Sequence, residues 1–116
     1  MVIFVEDEEP FEVGTTVSSR IRLKDENGDI TAADSLNGDE QVSLEITDAS
    51  SGEVLRTEEL MDGFDDDNGD RYYIDTWPTP ESVEPGEYNL IHRATVGDDP
   101  FKLTRIIELV KVKDDC

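Results

Sequence analysis

The sequence predicts an all-β chain, one domain of short antiparallel strands packed as a sandwich. Three observations predict it. Apolar and polar residues alternate over short runs, turn tripeptides recur between those runs, and no stretch sustains the i, i+3, i+4, i+7 apolar spacing of an amphipathic helix. The length, 116 residues, fits a single domain.

Each element follows in order. Val2 and Phe4 alternate with Ile3 and Val5, which makes a strand, and Glu6-Asp7-Glu8-Glu9 ending in Pro10 reads as a linker. This segment, 1–10, is either an edge strand of its own domain or an arm that adds to a neighbour's sheet edge. The sandwich itself runs over 11–113, and 114–116 is a tail. Val17, Ser19, Ile21 and Leu23 share one face, with Ser18, Arg20, Arg22 and Lys24 on the other. A single turn within Ala32 to Leu36 is the best helix candidate. Val42, Leu44 and Ile46 alternate with Ser43, Glu45 and Thr47. Val54 to Leu60 and the aromatic-rich Arg71 to Trp77 are two further strands. Tyr88, Leu90, His92, Ala94 and Val96 alternate with Asn89, Ile91, Arg93 and Thr95. Phe101 to Val112 is the longest apolar stretch, and its alternation shifts at Ile106-Ile107, which predicts a bulge or a change of partner. With the N-terminal run this makes about seven strands.

The turns are written in glycine. Asn-Gly-Asp stands at Asn27-Gly28-Asp29, Asn37-Gly38-Asp39 and Asn68-Gly69-Asp70, and Asn-Gly tolerates the positive φ of tight hairpins. Ser50-Ser51-Gly52 adds another turn, and Pro85-Gly86 has the pattern of a type II turn.

Charge bounds the function. Thirty residues are Asp or Glu against ten Lys or Arg, a formal net charge of −20. So much like charge repels itself in dilute buffer. In molar salt the Debye length falls to about 3 Å and the repulsion fades. The charge fits a chain built for concentrated salt, an ordinary acidic surface, or a surface for a cationic partner. It does not imply disorder: Val, Ile, Leu and Phe make up about a quarter of the chain, above the roughly 20% below which highly charged chains stay unfolded. Direct nucleic-acid binding is not expected, because phosphate contacts need clustered Lys and Arg and here they are scattered. Met1 to Val5 is too short for a membrane span and lacks the basic region of a signal peptide, so no membrane partner is expected. Cys116, the one cysteine, reads as a terminal thiol.

No catalytic residue is expected. His92, the single histidine, falls on a core-facing strand position, without the partners a triad requires. The acidic loop is the metal candidate, with Asp65, Asp66, Asp67 and Asp70 as the oxygen donors to be weighed. The EF-hand order fails there, since counting back from Gly69 as its sixth position puts Phe64 first. The cofactor expectation is therefore none, beyond loosely held Ca²⁺, Mg²⁺ or K⁺. Tyr72 and Tyr73 must face opposite sides of their strand. Tyr72 or Tyr73, together with Trp77, Val2 and Phe4, are the residues expected at an interface, a rim or contact role being preferred to a sugar platform.

Phe11-Glu12-Val13-Gly14-Thr15-Thr16-Val17, Asp25-Glu26-Asn27-Gly28, Val42 to Asp48, Ser51-Gly52-Glu53-Val54 and Pro85-Gly86-Glu87-Tyr88 occur in that order. In this order they resemble an immunoglobulin-like β-sandwich of the macroglobulin type, over roughly Phe11 to Val112. The resemblance places Tyr88 at a tyrosine corner and Leu90 where an antibody domain carries its second cysteine. Trp77, just before Pro78-Thr79-Pro80, would then cover one end of the sandwich. Short proteins of this pattern are similar to small immunoglobulin-like proteins from the structural gene clusters of tailed viruses. With the acidic composition, the resemblance implies a non-enzymatic virion protein of a haloarchaeal tailed virus, in the capsid decoration, neck or tail. It would be assembled in the host cytoplasm and partnered by other virion proteins or copies of itself. The alternative is a cell-surface adhesion or glycan-binding module.

Overall fold

The computed structural model of the chain describes residues 2–5, 11–12, 16–79 and 83–110, with the side chains at 2, 4, 11 and 12 left aside. The acidic linker after Val5, Pro80, and the tail with Cys116 lie outside the described residues.

Twelve strand segments are present among the described residues. They are β1 (Val2–Val5), β2 (Phe11–Glu12), β3 (Thr16–Lys24), β4 (Ile30–Thr31), β5 (Ser35–Leu36), β6 (Asp39–Glu40), β7 (Val42–Asp48), β8 (Val54–Leu60), β9 (Asp62–Asp65), β10 (Arg71–Pro78), β11 (Gly86–Val96) and β12 (Asp99–Val110). Seven of them fall on the long alternating runs. The other five are two to four residues long, too short to carry a periodic signal of their own. No helix forms among the described residues, so the candidate turn at Ala32 to Leu36 is overturned, its last two residues forming β5.

The first sheet runs β1-β3-β10-β9, with β4 also on β3; the second runs β2-β12-β11-β7-β8; β5 and β6 form a separate hairpin. All pairings are antiparallel except the parallel β2–β12 contact. β1 stands at the edge of the first sheet, pairing Val2 with Lys24 through Val5 with Ile21 of β3.

The alternation decides what is buried. On β3, Val17, Ser19, Ile21 and Leu23 turn inward. Val17, Ile21 and Leu23 meet Leu44 and Ile46 of β7, Leu90 and Ala94 of β11, and Ile107 and Leu109 of β12 in one core. Each fully buried Leu or Ile stabilises by about 1.5–3 kcal/mol before the ordering entropy is counted. Contacts cross from sheet to sheet: the Trp77 and Tyr88 rings lie 6.3 Å apart, Ser19 Oγ meets His92 Nε2 at 3.2 Å, and Arg56 of β8 donates to Asp75 of β10 at 2.5 Å.

The bulge expected at Ile106-Ile107 is overturned. β12 pairs with β11 in one unbroken register, from Leu109 opposite Gly86 to Asp99 opposite Val96. Ile107 is buried and Ile106 simply points out, 58% exposed. The register shifts fall instead between β7 and β8.

The Asn-Gly-Asp tripeptide folds in two ways. Asn37 and Gly38 both take positive φ, 54° and 88°, and close the two-residue β5–β6 hairpin, as a type I′ turn requires. At the other two sites only the glycine does, Gly28 and Gly69 both at 81°. The difference lies two residues before the Asn. The Asp25 carboxylate accepts the amides of Asn27 and Asp29 at 2.9 and 3.0 Å, and Asp66 accepts those of Asn68 and Asp70 at 2.8 and 3.0 Å. These are Asx turns, in which the side chain stands in for a backbone carbonyl. Before Asn37 the corresponding residue is Ser35, and the hairpin takes over. The Pro85-Gly86 pair departs from its pattern: Gly86 opens β11 with φ of 150°, whereas a type II turn needs about +80° there. A further hairpin turn, Gly97-Asp98, joins β11 to β12 with φ of 59° and 67°.

Candidate interaction surface

The outer face of the first sheet is where aromatic and cationic side chains meet. Because β3 alternates, Arg20, Arg22 and Lys24 all sit on its outward side. β10 sets Ile74 opposite Arg20 in register, and β9 sets Phe64 opposite Tyr72. The Arg20 guanidinium carbon lies 3.9 Å from the centre of the Tyr72 ring, and that of Arg22 lies 5.6 Å away. Phe64 tilts against the same ring at 5.9 Å and remains 48% exposed. Arg22 also pairs with Asp66 at 2.8 Å. Cation–π contact at such distances is worth about 0.5–1 kcal/mol at an exposed site, and it holds the rings and guanidinium in place. The result is a preorganised aromatic patch with positive charge beside it.

The predicted contact residues separate here. Tyr72 lies on this face. Phe4 and Val2 hold the register positions opposite Arg22 and Lys24. Tyr73 and Trp77 do not join them. Tyr73 is wholly buried and Trp77 is 6% exposed, because β10 pairs Tyr73 with Ile21 and Trp77 with Val17, both inward residues. Their expected interface role therefore gives way to a core role, and Trp77 packs on Tyr88.

Tyr73 has a second task. Its hydroxyl donates to Glu40 and accepts the Ala33 amide at 2.9 Å. Arg71 donates to the same Glu40 carboxylate and reaches Asp65 at 3.3 Å. This cluster fastens the β5–β6 hairpin to β10 and β9. Burial pushes the Glu40 carboxyl up, but the Arg71 and Tyr73 hydrogen bonds outweigh it and leave it below the ordinary range. Burial, then the bond to Glu40, pushes the Tyr73 phenol up to about 12. The Glu40 bond likewise raises Arg71. Gly63 makes room for the cluster, since a Cβ there would stand 2.7 Å from an Arg71 nitrogen.

The metal expectation is not met by the geometry. Asp65 lies in β9 and pairs with Arg71. Asp66 is engaged by the Asp70 and Asn68 amides and by Arg22, and its carboxyl is lowered, the Asp70 amide bond being the largest cause. Among the described residues no three or more His, Cys, Asp or Glu side chains converge on a point where a metal ion would sit, Asp67 and Asp70 included.

His92 is fully buried between the sheets with Ser19, which is 1% exposed. A surface groove of about 670 Å³ lies over Ser43, Glu58, Leu60, Arg93 and Lys102. It is open, and its Arg93 is held by Glu45 at 3.2 Å and Glu58 at 3.6 Å. In the same groove the Ser43 hydroxyl donates to the Glu58 carboxylate.

Two members of the outer patch escaped the sequence reading. Arg20 was legible as an outward position of β3 but not as a partner of Tyr72. Phe64 sat inside an acidic run, and β9, only four residues long, is too short to show alternation. Glu40 and Arg71 are 31 residues apart and nothing local links them. No helix among the described residues is long and apolar enough to cross a membrane. No family model matches the sequence, and no curated protein matches it.

Proposed function

We propose that this protein is a non-enzymatic assembly module, an immunoglobulin-like sandwich that works through protein–protein contacts in concentrated salt, as a structural component of a haloarchaeal tailed virus. The observation that carries the contact role is the outer patch of Arg20, Tyr72 and Phe64: aromatic, with Phe64 exposed beside the half-buried Arg20 and Tyr72, and braced on a two-sheet scaffold. Such rigid aromatic and arginine groups are the residue types enriched at interface hot spots.

Two features support the immunoglobulin-like reading. The order β1-β3-β10-β9 against β12-β11-β7 corresponds to strands A-B-E-D against G-F-C. The Tyr88 hydroxyl donates to the Glu84 carbonyl at 2.5 Å, four residues upstream, as a tyrosine corner does. The viral and halophilic parts of the reading rest on the order of sequence segments and on the net charge of −20.

The test is molar mass by light scattering in molar potassium chloride and in dilute buffer. The expected result is a closed oligomer at high salt that dissociates on dilution. A folded monomer in both buffers would remove the assembly reading. It would leave the glycan-binding alternative, which the Phe64–Tyr72 pair favours and which a glycan array with a Tyr72→Ala control would decide.

A further inference from the structure

We propose that Asn37 is a site of spontaneous covalent modification: its side-chain amide is lost to give aspartate and isoaspartate, well ahead of Asn27 and Asn68, and the change loosens the β5–β6 hairpin. The inference is independent of the assembly reading. The three asparagines stand in the same tripeptide, Asn-Gly-Asp, and all three are exposed. A glycine after asparagine carries no Cβ to hinder approach to its backbone nitrogen. The tripeptide therefore ranks the three sites equally, and only the fold distinguishes them.

The chemistry needs only the chain and water. The backbone nitrogen of the glycine attacks Cγ of the asparagine, and a C–N bond forms. That nitrogen loses its proton, while Nδ2 takes one up and departs as ammonia. One water then opens the cyclic imide. Opening at one carbonyl gives aspartate, and at the other isoaspartate, whose main chain runs through Cβ. The slow part is the attack. It requires a glycine N–H able to give up its proton and a backbone free to turn about the Asn-Gly link.

At Asn27 and Asn68 both requirements fail. The Gly28 N–H donates to the Asp25 carbonyl at 3.0 Å, and the Gly69 N–H to the Asp66 carbonyl at 2.9 Å. The Asp25 carboxylate also holds the amides on either side, those of Asn27 and Asp29, and Asp66 does the same for Asn68 and Asp70. A carboxylate so close also disfavours an anionic nitrogen. At Asn37 the clamp is missing, because Ser35 stands where the other two sites have Asp. The hairpin closes between Leu36 and Asp39, and among the described residues no backbone carbonyl accepts the Gly38 N–H. The product then acts on the hairpin. Isoaspartate lengthens the main chain of a two-residue turn, and either product sets a new carboxylate beside Asp39 and Glu40. Glu40 is the hairpin's anchor to Arg71 and Tyr73, so a change at the tip reaches the clamp.

The experiment ages the folded full chain in molar potassium chloride at mildly alkaline pH, below its melting temperature. Tandem mass spectrometry reads the replacement of NH₂ by OH at each asparagine, and labelling by a protein isoaspartate methyltransferase reports the isoaspartate share. Asn37 is expected to convert at least about tenfold faster than Asn27 or Asn68, the rate ratio that corresponds to roughly one net hydrogen bond. In urea the three rates should draw together. Equal rates in the folded chain, or a faster Asn27 or Asn68, would overturn the inference. A ranking that persists in urea would overturn it too, since local sequence would then set the order. Aged protein is expected to melt lower than fresh protein. Asn37→Gly tolerates the same positive φ and has no Cγ to attack, so its melting temperature should hold on ageing. A variant that declines as the wild type does would overturn the link between Asn37 and the hairpin clamp.

Discussion

Ser19 and His92 meet at 3.2 Å across the interior, one from each sheet, both almost wholly shut off from water. They stand among aliphatic side chains, and a hydrogen bond is what allows polar groups to be buried there. The pair also ties the relative position of β3 and β11, because it is made in one alignment of the sheets. Removing one partner is expected to cost more than the bond itself is worth, since the other remains buried. Ser19→Ala should destabilise by about 1–3 kcal/mol, measured by urea unfolding. An unchanged midpoint would mean that the pair carries no stability.

Tyr88→Phe isolates the corner bond. The ring still packs on Trp77, and only the donation to the Glu84 carbonyl is lost. The expected loss is about 0.5–1.5 kcal/mol, with Trp77 emission unchanged. A shifted emission would show that the hydroxyl also sets the packing.

The Glu40–Tyr73–Arg71 cluster predicts two limits in pH. The Glu40 carboxyl is lowered on folding, so its contribution is present above the unfolded value of about 4.3 and is lost as pH falls through the folded one. Asp34, Asp48 and Asp66, also lowered, act in the same direction. The Tyr73 phenol is raised to about 12, so its contribution is full below the unfolded value of about 10 and is lost as pH rises from there toward 12. Melting temperatures across pH should fall at both ends. Tyr73→Phe should flatten the alkaline limb, and Glu40→Gln should reduce the acid one. An alkaline limb unchanged in Tyr73→Phe would count against the assignment.

Gly63→Ala would crowd Arg71 without changing any charge. The atoms it meets are the flexible ends of Arg71 and Glu40, which can shift, so the expected cost is below the roughly 1–3 kcal/mol of overpacking in a tight core, and it should also weaken the alkaline limb, because the cluster it disturbs is the same one. Chemical denaturation at neutral and alkaline pH checks both.

The two Asx turns predict unequal losses. Asp66 accepts two amides and also pairs with Arg22 at 2.8 Å, whereas Asp25 accepts two amides alone among its described contacts. Calorimetry should find Asp66→Ala less stable than Asp25→Ala, and equal melting temperatures would assign the whole effect to the backbone caps.

What the sequence determined by itself was local. Period-two alternation marked β3, β7 and β11 and their inward faces, because a pleated strand sends neighbouring side chains to opposite sides whatever its partners are. It showed that Tyr72 and Tyr73 face opposite ways, and it could not say which faces in. Only the tertiary structure decided that, by setting Tyr73 beside Ile21 in the ladder with β3. The same holds for Trp77, for the outward Ile106, and for the meeting of Arg20, Tyr72 and Phe64 from three different strands. Alternation is a property of one segment, whereas register and sheet order depend on which segments pair, and long-range pairing leaves no mark on the short stretch where a residue stands.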